Sequence, residues 1–148
     1  MSAYSHISEV KFNSLECLKE ALAEIYGEEA AAIIYTEEAQ HLMGYQGDTR
    51  PEVANIIIPG SGRAKRKGTP NLVGSASNDI GFHLQADGSY KLMISEYDSR
   101  KHGVDWVNNL KKLAATALIK KNAKKNGYTI KKVTNQAGNT EFILAKIV

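Results

Sequence analysis

The sequence predicts an α+β fold, a single mainly antiparallel sheet packed with two main helices. The run from Asn78 to Ile94 places Ile80, Phe82 and Leu84 before Asp87-Gly88, and Tyr90, Leu92 and Ile94 after it. That alternation is the period of a half-buried hairpin whose tight turn needs positive φ. Two other segments, Leu15, Leu18, Leu22 and Ile25 and the stretch from about Val104 to Asn126, repeat apolar residues every three or four positions, as helices with one buried face do. The approximate order is strand, helix, strand, hairpin, helix, hairpin.

Residues 5–12 place Ile7 against Val10 and Phe12, a short strand with imperfect alternation. Asn13 is positioned to cap the first helix, with Glu16 three residues on at the capping-box spacing and Gly27 at the end. Cys17 lies beside the apolar stripe and reads as a buried structural thiol, because no nucleophile-activating arrangement surrounds it. Residues 28–43 leave two readings open. Glu28 to Ala32 and Glu37 to Leu42 favour helix while Ile33 to Thr36 favour strand, so a weak second helix and a strand with a helical turn both fit.

Gly44 to Pro51 reads as a turn or loop, and Val53 to Ile58 as a strand whose nearly unbroken apolar run predicts burial on both faces. Residues 59–77 combine four glycines, two prolines and Arg63-Ala64-Lys65-Arg66-Lys67, which predicts a flexible basic loop. In the long helix, Trp106 or Val107, Leu110, Leu113, Ala114, Ala117 and Leu118 form the apolar stripe. Lys111, Lys112, Lys120, Lys121, Lys124 and Lys125 occupy other positions, the last four complementing the macrodipole, and Gly127 stands at C′. Tyr128 to Thr134 and Glu141 to Val148 read as closing strands around the loop 135–139.

A chain of 148 residues fits one domain, 1–148, large enough to bury a core without metal or disulfide staples. Cys17 is the one cysteine, which excludes an internal disulfide, argues against a thiol-rich metal site and fits a reducing compartment. The first residues show neither a basic leader nor an apolar core, and no stretch approaches the roughly 20 apolar residues that span a bilayer. The expectation is a soluble intracellular protein with no membrane partner, in the cytoplasm, a plastid stroma or a phage-infected cell.

The net charge of +3 conceals an asymmetry. Residues 1–60 hold Lys11, Lys19 and Arg50 against ten acidic residues, whereas residues 61–148 hold sixteen basic residues against six acidic ones. The second half can therefore meet an acidic partner, the first half of a second copy included. The sharpest candidate site is the loop cluster Arg63, Lys65, Arg66 and Lys67, joined by Lys120, Lys121, Lys124 and Lys125 of the helix. Such cations can neutralise phosphates without reading sequence.

Catalysis finds no positive case. His6, His41, His83 and His102 are scattered without metal-ligand spacing, Gly60-Ser61-Gly62-Arg63-Ala64-Lys65 lacks the phosphate-loop arrangement, and no nucleophile elbow occurs. No cofactor or metal is expected. An enzyme would need distant groups such as His41, Tyr45 and Asp79 to converge on one pocket.

Leu15-Glu16-Cys17-Leu18-Lys19-Glu20-Ala21-Leu22, Gly44-Tyr45-Gln46-Gly47, Asn78-Asp79-Ile80-Gly81-Phe82 and Ala86-Asp87-Gly88-Ser89-Tyr90 together resemble the plastid and cyanobacterial "hypothetical chloroplast open reading frame 35" family, catalogued as domain of unknown function 1257. The opening Tyr4-Ser5-His6-Ile7, the strand Val53 to Ile58 and the closing helix-strand-strand are similar too, while Glu28 to Leu42 and Pro59 to Ser77 look longer than the plastid pattern. The resemblance carries no catalytic set; it implies at most an accessory protein, one serving an ATPase machine. The expected function is a non-enzymatic binding or adaptor protein with a protein partner. The alternative is sequence-independent nucleic-acid binding through the basic loop and the lysine-rich helix.

Overall fold

The Asp87-Gly88 hairpin lies at the heart of the sheet, because strands pair with it on both sides. In the computed structural model, residues 3–66, 68–134 and 140–146 are described, with 5–9, 129–134 and 140–146 described by their backbone alone. Strands β1 (Tyr4–Phe12), β2 (Ile34–Met43), β3 (Thr49–Ile58), β4 (Ile80–Leu84) and β5 (Tyr90–Ser95) form one antiparallel sheet in the order β1-β5-β4-β3-β2. Helices α1 (Leu15–Tyr26) and α2 (Val104–Lys125) complete the α+β fold, and β6 (Tyr128–Thr134) pairs with β7 (Thr140–Lys146) as a separate ribbon. The expected loop 135–139 and Lys67 lie outside the described residues.

One sheet face carries the main core. Ile56, Ile58, Ile80, Phe82, Leu92 and Ile94 meet Leu18 and Leu22 of α1 and Val107 and Leu110 of α2, and the rings of Phe12 and Phe82 pack edge to face at 5.7 Å. The helices run antiparallel, with Glu16 of the first turn of α1 bonded to Lys121 near the end of α2 and the Tyr26 hydroxyl beside Trp106 at the other end. Residue 14, not residue 13, caps α1: the Ser14 hydroxyl accepts from the Cys17 N–H, so Glu16 is not at a capping-box position. Cys17 is free and buried.

Residues 28–43 resolve into a short 3-10 turn, Gly27–Ala32, followed by the edge strand β2. Tertiary pairing overrides the helix preference of Glu37 to Leu42. The register jumps: Tyr35 faces Ile56 and Gln40 faces Ala54, so residues 36–39 bulge opposite Asn55. The Asn55 amide closes the gap, donating to the carbonyls of Thr36 (3.3 Å) and Glu37 (2.9 Å) while its oxygen accepts from the Leu84 N–H (2.9 Å).

Beyond the bulge the hairpin crosses the other face of the sheet. There Leu42, Ala54, Ile57 and Tyr4 form a second small core with Ile34 and Met93, so Val53 to Ile58 is buried on two sides as its composition predicts. Leu42 and Ala54 sit so close over Gly81 that a Cβ there would lie 2.9 Å from Leu42 Cδ2 and 2.8 Å from Ala54 Cβ. Among the described residues no helix is long and apolar enough to cross a membrane.

Candidate interaction surface

A buried polar centre locks the loop ends at one edge of the second core. Asp79, just before β4, is fully buried. Its carboxylate accepts from the Met43 N–H (2.8 Å), the Gly60 N–H (2.9 Å) and Arg63 Nε (2.9 Å), with Arg63 Nη2 at 2.8 Å. Arg63 Nη2 also donates to the His41 carbonyl (3.2 Å). Tyr4 donates its hydroxyl proton to the Asp79 carbonyl at 2.6 Å. Burial, reinforced by the Asp79 charge, pushes its phenol far above the usual tyrosine value and keeps it a donor.

Asn78 ties in the next layer. Its side-chain oxygen accepts from the Tyr45 N–H (2.9 Å), and its amide donates to Ser95 Oγ (2.9 Å) and Asp98 Oδ2 (3.3 Å). Gly62 passes so close to the β2–β3 turn that a Cβ there would collide with the Gly44 carbonyl oxygen. The Gly44-Tyr45-Gln46-Gly47 and Asn78-Asp79-Ile80-Gly81-Phe82 motifs, distant in sequence, are thus two halves of one internal joint.

His41, Tyr45 and Asp79 do gather around this joint, in structural roles. His41 supplies its carbonyl to Arg63 and places Nδ1 2.8 Å from the Arg50 carbonyl, while Tyr45 contributes its N–H. Surface clefts of about 190 to 340 Å³ are lined by other residues. Among the described residues no group of three His, Cys, Asp or Glu is placed to hold a metal ion.

The expected basic cluster divides. Arg63 is buried and paired with Asp79, so it is a joint residue and not a surface cation. Sequence reading missed this role; the available signal was an arginine set directly after Gly60-Ser61-Gly62, where close backbone packing draws its neighbour inward. Lys65 and Arg66 are exposed, and Lys67 lies outside the described residues. Residues 59–77 are also anchored near their ends, with Leu72 N–H donating to the Pro59 carbonyl (2.9 Å) and Ser61 bonded to Ser77.

On α2, Lys120, Lys121, Lys124 and Lys125 are all exposed, with Leu118 and Ile119 showing 45% and 42% of their surface. Leu118 departs from the expected core stripe because it faces a cleft shared with Phe12 and Cys17. Lys121 reaches Glu16 at 2.7 Å. This pair lowers the Glu16 carboxyl below its usual value and raises the Lys121 ammonium, in each case mainly through the hydrogen bond between them. The last turns of α2 therefore carry four exposed lysines together with the partly exposed Leu118 and Ile119.

Residues 31–143 match the model of a family described as "Protein of unknown function (DUF1257)". No curated protein and no solved structure matches the chain.

Proposed function

The chain belongs to the DUF1257 family, and from that premise we propose that it is a non-enzymatic binding protein, an adaptor that docks an acidic surface of a protein partner on the last turns of α2. The observation that supports this is the mixture of exposed Lys120, Lys124 and Lys125 with exposed Leu118 and Ile119 on one helix. Apolar side chains together with cations suit a folded protein surface, where carboxylates meet the lysines and apolar groups cover the leucine and isoleucine. A phosphate backbone would use the charges alone. Burial of Arg63 further removes one cation from the loop that a nucleic acid would need. An ATPase machine served by this protein is one setting for such a contact, implied by the family resemblance.

The test is affinity capture of tagged protein from its native lysate, with and without nuclease, beside the variant Lys120→Glu/Lys124→Glu. A stoichiometric protein partner that survives nuclease and is lost with the variant supports docking on α2. A partner retained by the variant moves the contact elsewhere. Recovery of nucleic acid, with partners lost on nuclease treatment, replaces the adaptor reading by nucleic-acid binding.

A further inference from the structure

A second candidate surface lies away from the last turns of α2, where the loop before β4 meets the loop after β5. Its cleft, about 190 Å³, is lined by Gly74, Ser75, Ser77, Tyr97, Arg100 and Lys101, with Val73 and Asp98. Arg100 and Lys101 are exposed cations on one wall. The Lys101 ammonium reaches across to the other wall: a Cβ on Gly74 would lie 3.6 Å from Lys101 Nζ.

The opposite wall is backbone. Ala76 has φ 49, the one non-glycine residue with positive φ among the described residues, a strained conformation that persists where surroundings enforce it. Asn71 holds the turn, its side-chain oxygen accepting from the N–H groups of Val73 (3.2 Å) and Gly74 (3.0 Å) and its amide donating to the Gly74 carbonyl (2.6 Å). Ser75 and Ala76 are the corner of a hydrogen-bonded turn from Gly74 to Ser77, and their own N–H groups have no hydrogen-bond partner among the described residues. Successive free amides beside a left-handed residue are the arrangement that cradles anions.

From these features together we infer that the cleft between residues 74–77 and Arg100-Lys101 is a binding site for the phosphoryl group of a small phosphomonoester. Arg100 and Lys101 supply charge-assisted hydrogen bonds, the free amides supply neutral ones, and the Tyr97 and Ser75 hydroxyls are at hand for the group that carries the phosphate. Asp98 is the one carboxylate on the lining. Its Oδ2 is already occupied by the Asn78 N–H (2.9 Å) and Ser95 Oγ (2.8 Å), so two cations face an anion against one internally bonded carboxylate. The volume, well below the roughly 300–1,000 Å³ of drug-sized sites, suits a phosphoryl group and a few further atoms. This site is independent of the α2 docking surface.

The test is titration of the isotopically labelled full-length protein with inorganic phosphate and with glycerol 3-phosphate, at constant ionic strength held by chloride and followed through amide signals. Saturable shifts at Gly74, Ser75, Ala76 and Ser77 are expected, with glycerol 3-phosphate binding at least as tightly as inorganic phosphate. Arg100→Gln/Lys101→Gln is expected to weaken binding about tenfold or more while leaving the rest of the spectrum in place. Ala76→Gly, which relieves the backbone strain and keeps the charges, reports whether the turn still binds if the double variant disturbs its neighbours. Absence of shifts at 74–77, or shifts that the double variant leaves unchanged, overturns the site. Binding of inorganic phosphate with exclusion of glycerol 3-phosphate overturns the monoester.

Discussion

Arg63 and Asp79 form an ion pair inside the protein, Nη2 to Oδ2 at 2.8 Å, with 8% and 0% of their side chains exposed. The pair is the bolt of the joint between the β2–β3 turn and the entry to β4. Removing one partner strands the other in a dry site, which costs about 3–5 kcal/mol. Arg63→Ala is therefore expected to lose stability on that scale in urea unfolding. Swapping both residues for apolar ones is not expected to rescue it, because the Asp79 carboxylate also holds the Met43 and Gly60 N–H groups, which would then be unsatisfied. A double variant as stable as wild type would sink this account.

Glycines of this joint and of the β4–β5 turn separate close packing from backbone conformation. At Gly81 a methyl group meets Leu42, which is fully buried and has nowhere to retreat, so Gly81→Ala is expected to cost about 1–3 kcal/mol by overpacking. Gly62→Ala is worse, since the obstacle is the Gly44 carbonyl in the backbone of the facing turn. Gly88, with φ +85 and nothing within 4 Å of an added Cβ, suffers conformational strain alone, about 1 kcal/mol. Thermal melting of the three variants checks the order Gly88, Gly81, Gly62 from mild to severe.

What the sequence revealed and what it hid follow from the range of the interactions. The β4–β5 hairpin and both helices were legible because alternation and three-to-four spacing are local signals, visible in Ile80, Phe82 and Leu84 or in Leu18 and Leu22. β2 was not, because Glu37 to Leu42 become strand only through pairing with β3. The inward turn of Arg63 depends on Asp79, sixteen residues away, and on close approach of Gly62 to Gly44. The cations of α2 were readable as a list. The exposure of Leu118 was not, since its three-to-four spacing fits the core stripe until the cleft beside Phe12 is seen.

Asn55 offers a test of how the bulge is held. Its amide group donates to two carbonyls and accepts one N–H, so Asn55→Ala leaves these groups unsatisfied at a cost of about 1–3 kcal/mol. Asn55→Asp is expected to be the more damaging change despite its identical shape, because a carboxylate cannot donate and would face the Thr36 and Glu37 carbonyls. Urea unfolding of the two variants ranks them, and an Asp variant more stable than the Ala variant at neutral pH contradicts the assignment of donors.

His102 should make stability depend on pH just below neutrality. Burial holds its imidazole below the ordinary value of 6.5 against the opposing pull of Asp98, and the Lys101 charge adds to the lowering. The ring packs edge to face on Trp106 at 5.0 Å, where the neutral form fits. With the folded value depressed, the unfolded chain binds the proton more readily, so stability rises with pH across this window. The contribution is complete above the unfolded value of 6.5, declines as pH falls below it, and levels off beneath the folded value. His102→Phe keeps an aromatic ring against Trp106 and removes the titration. Urea unfolding from about pH 7.5 down to about pH 5 is therefore expected to give a flatter profile for the variant, with the difference from wild type growing below 6.5. Parallel profiles, or a His102 ring that titrates above 6.5 by nuclear magnetic resonance, would remove burial of the neutral imidazole as the cause.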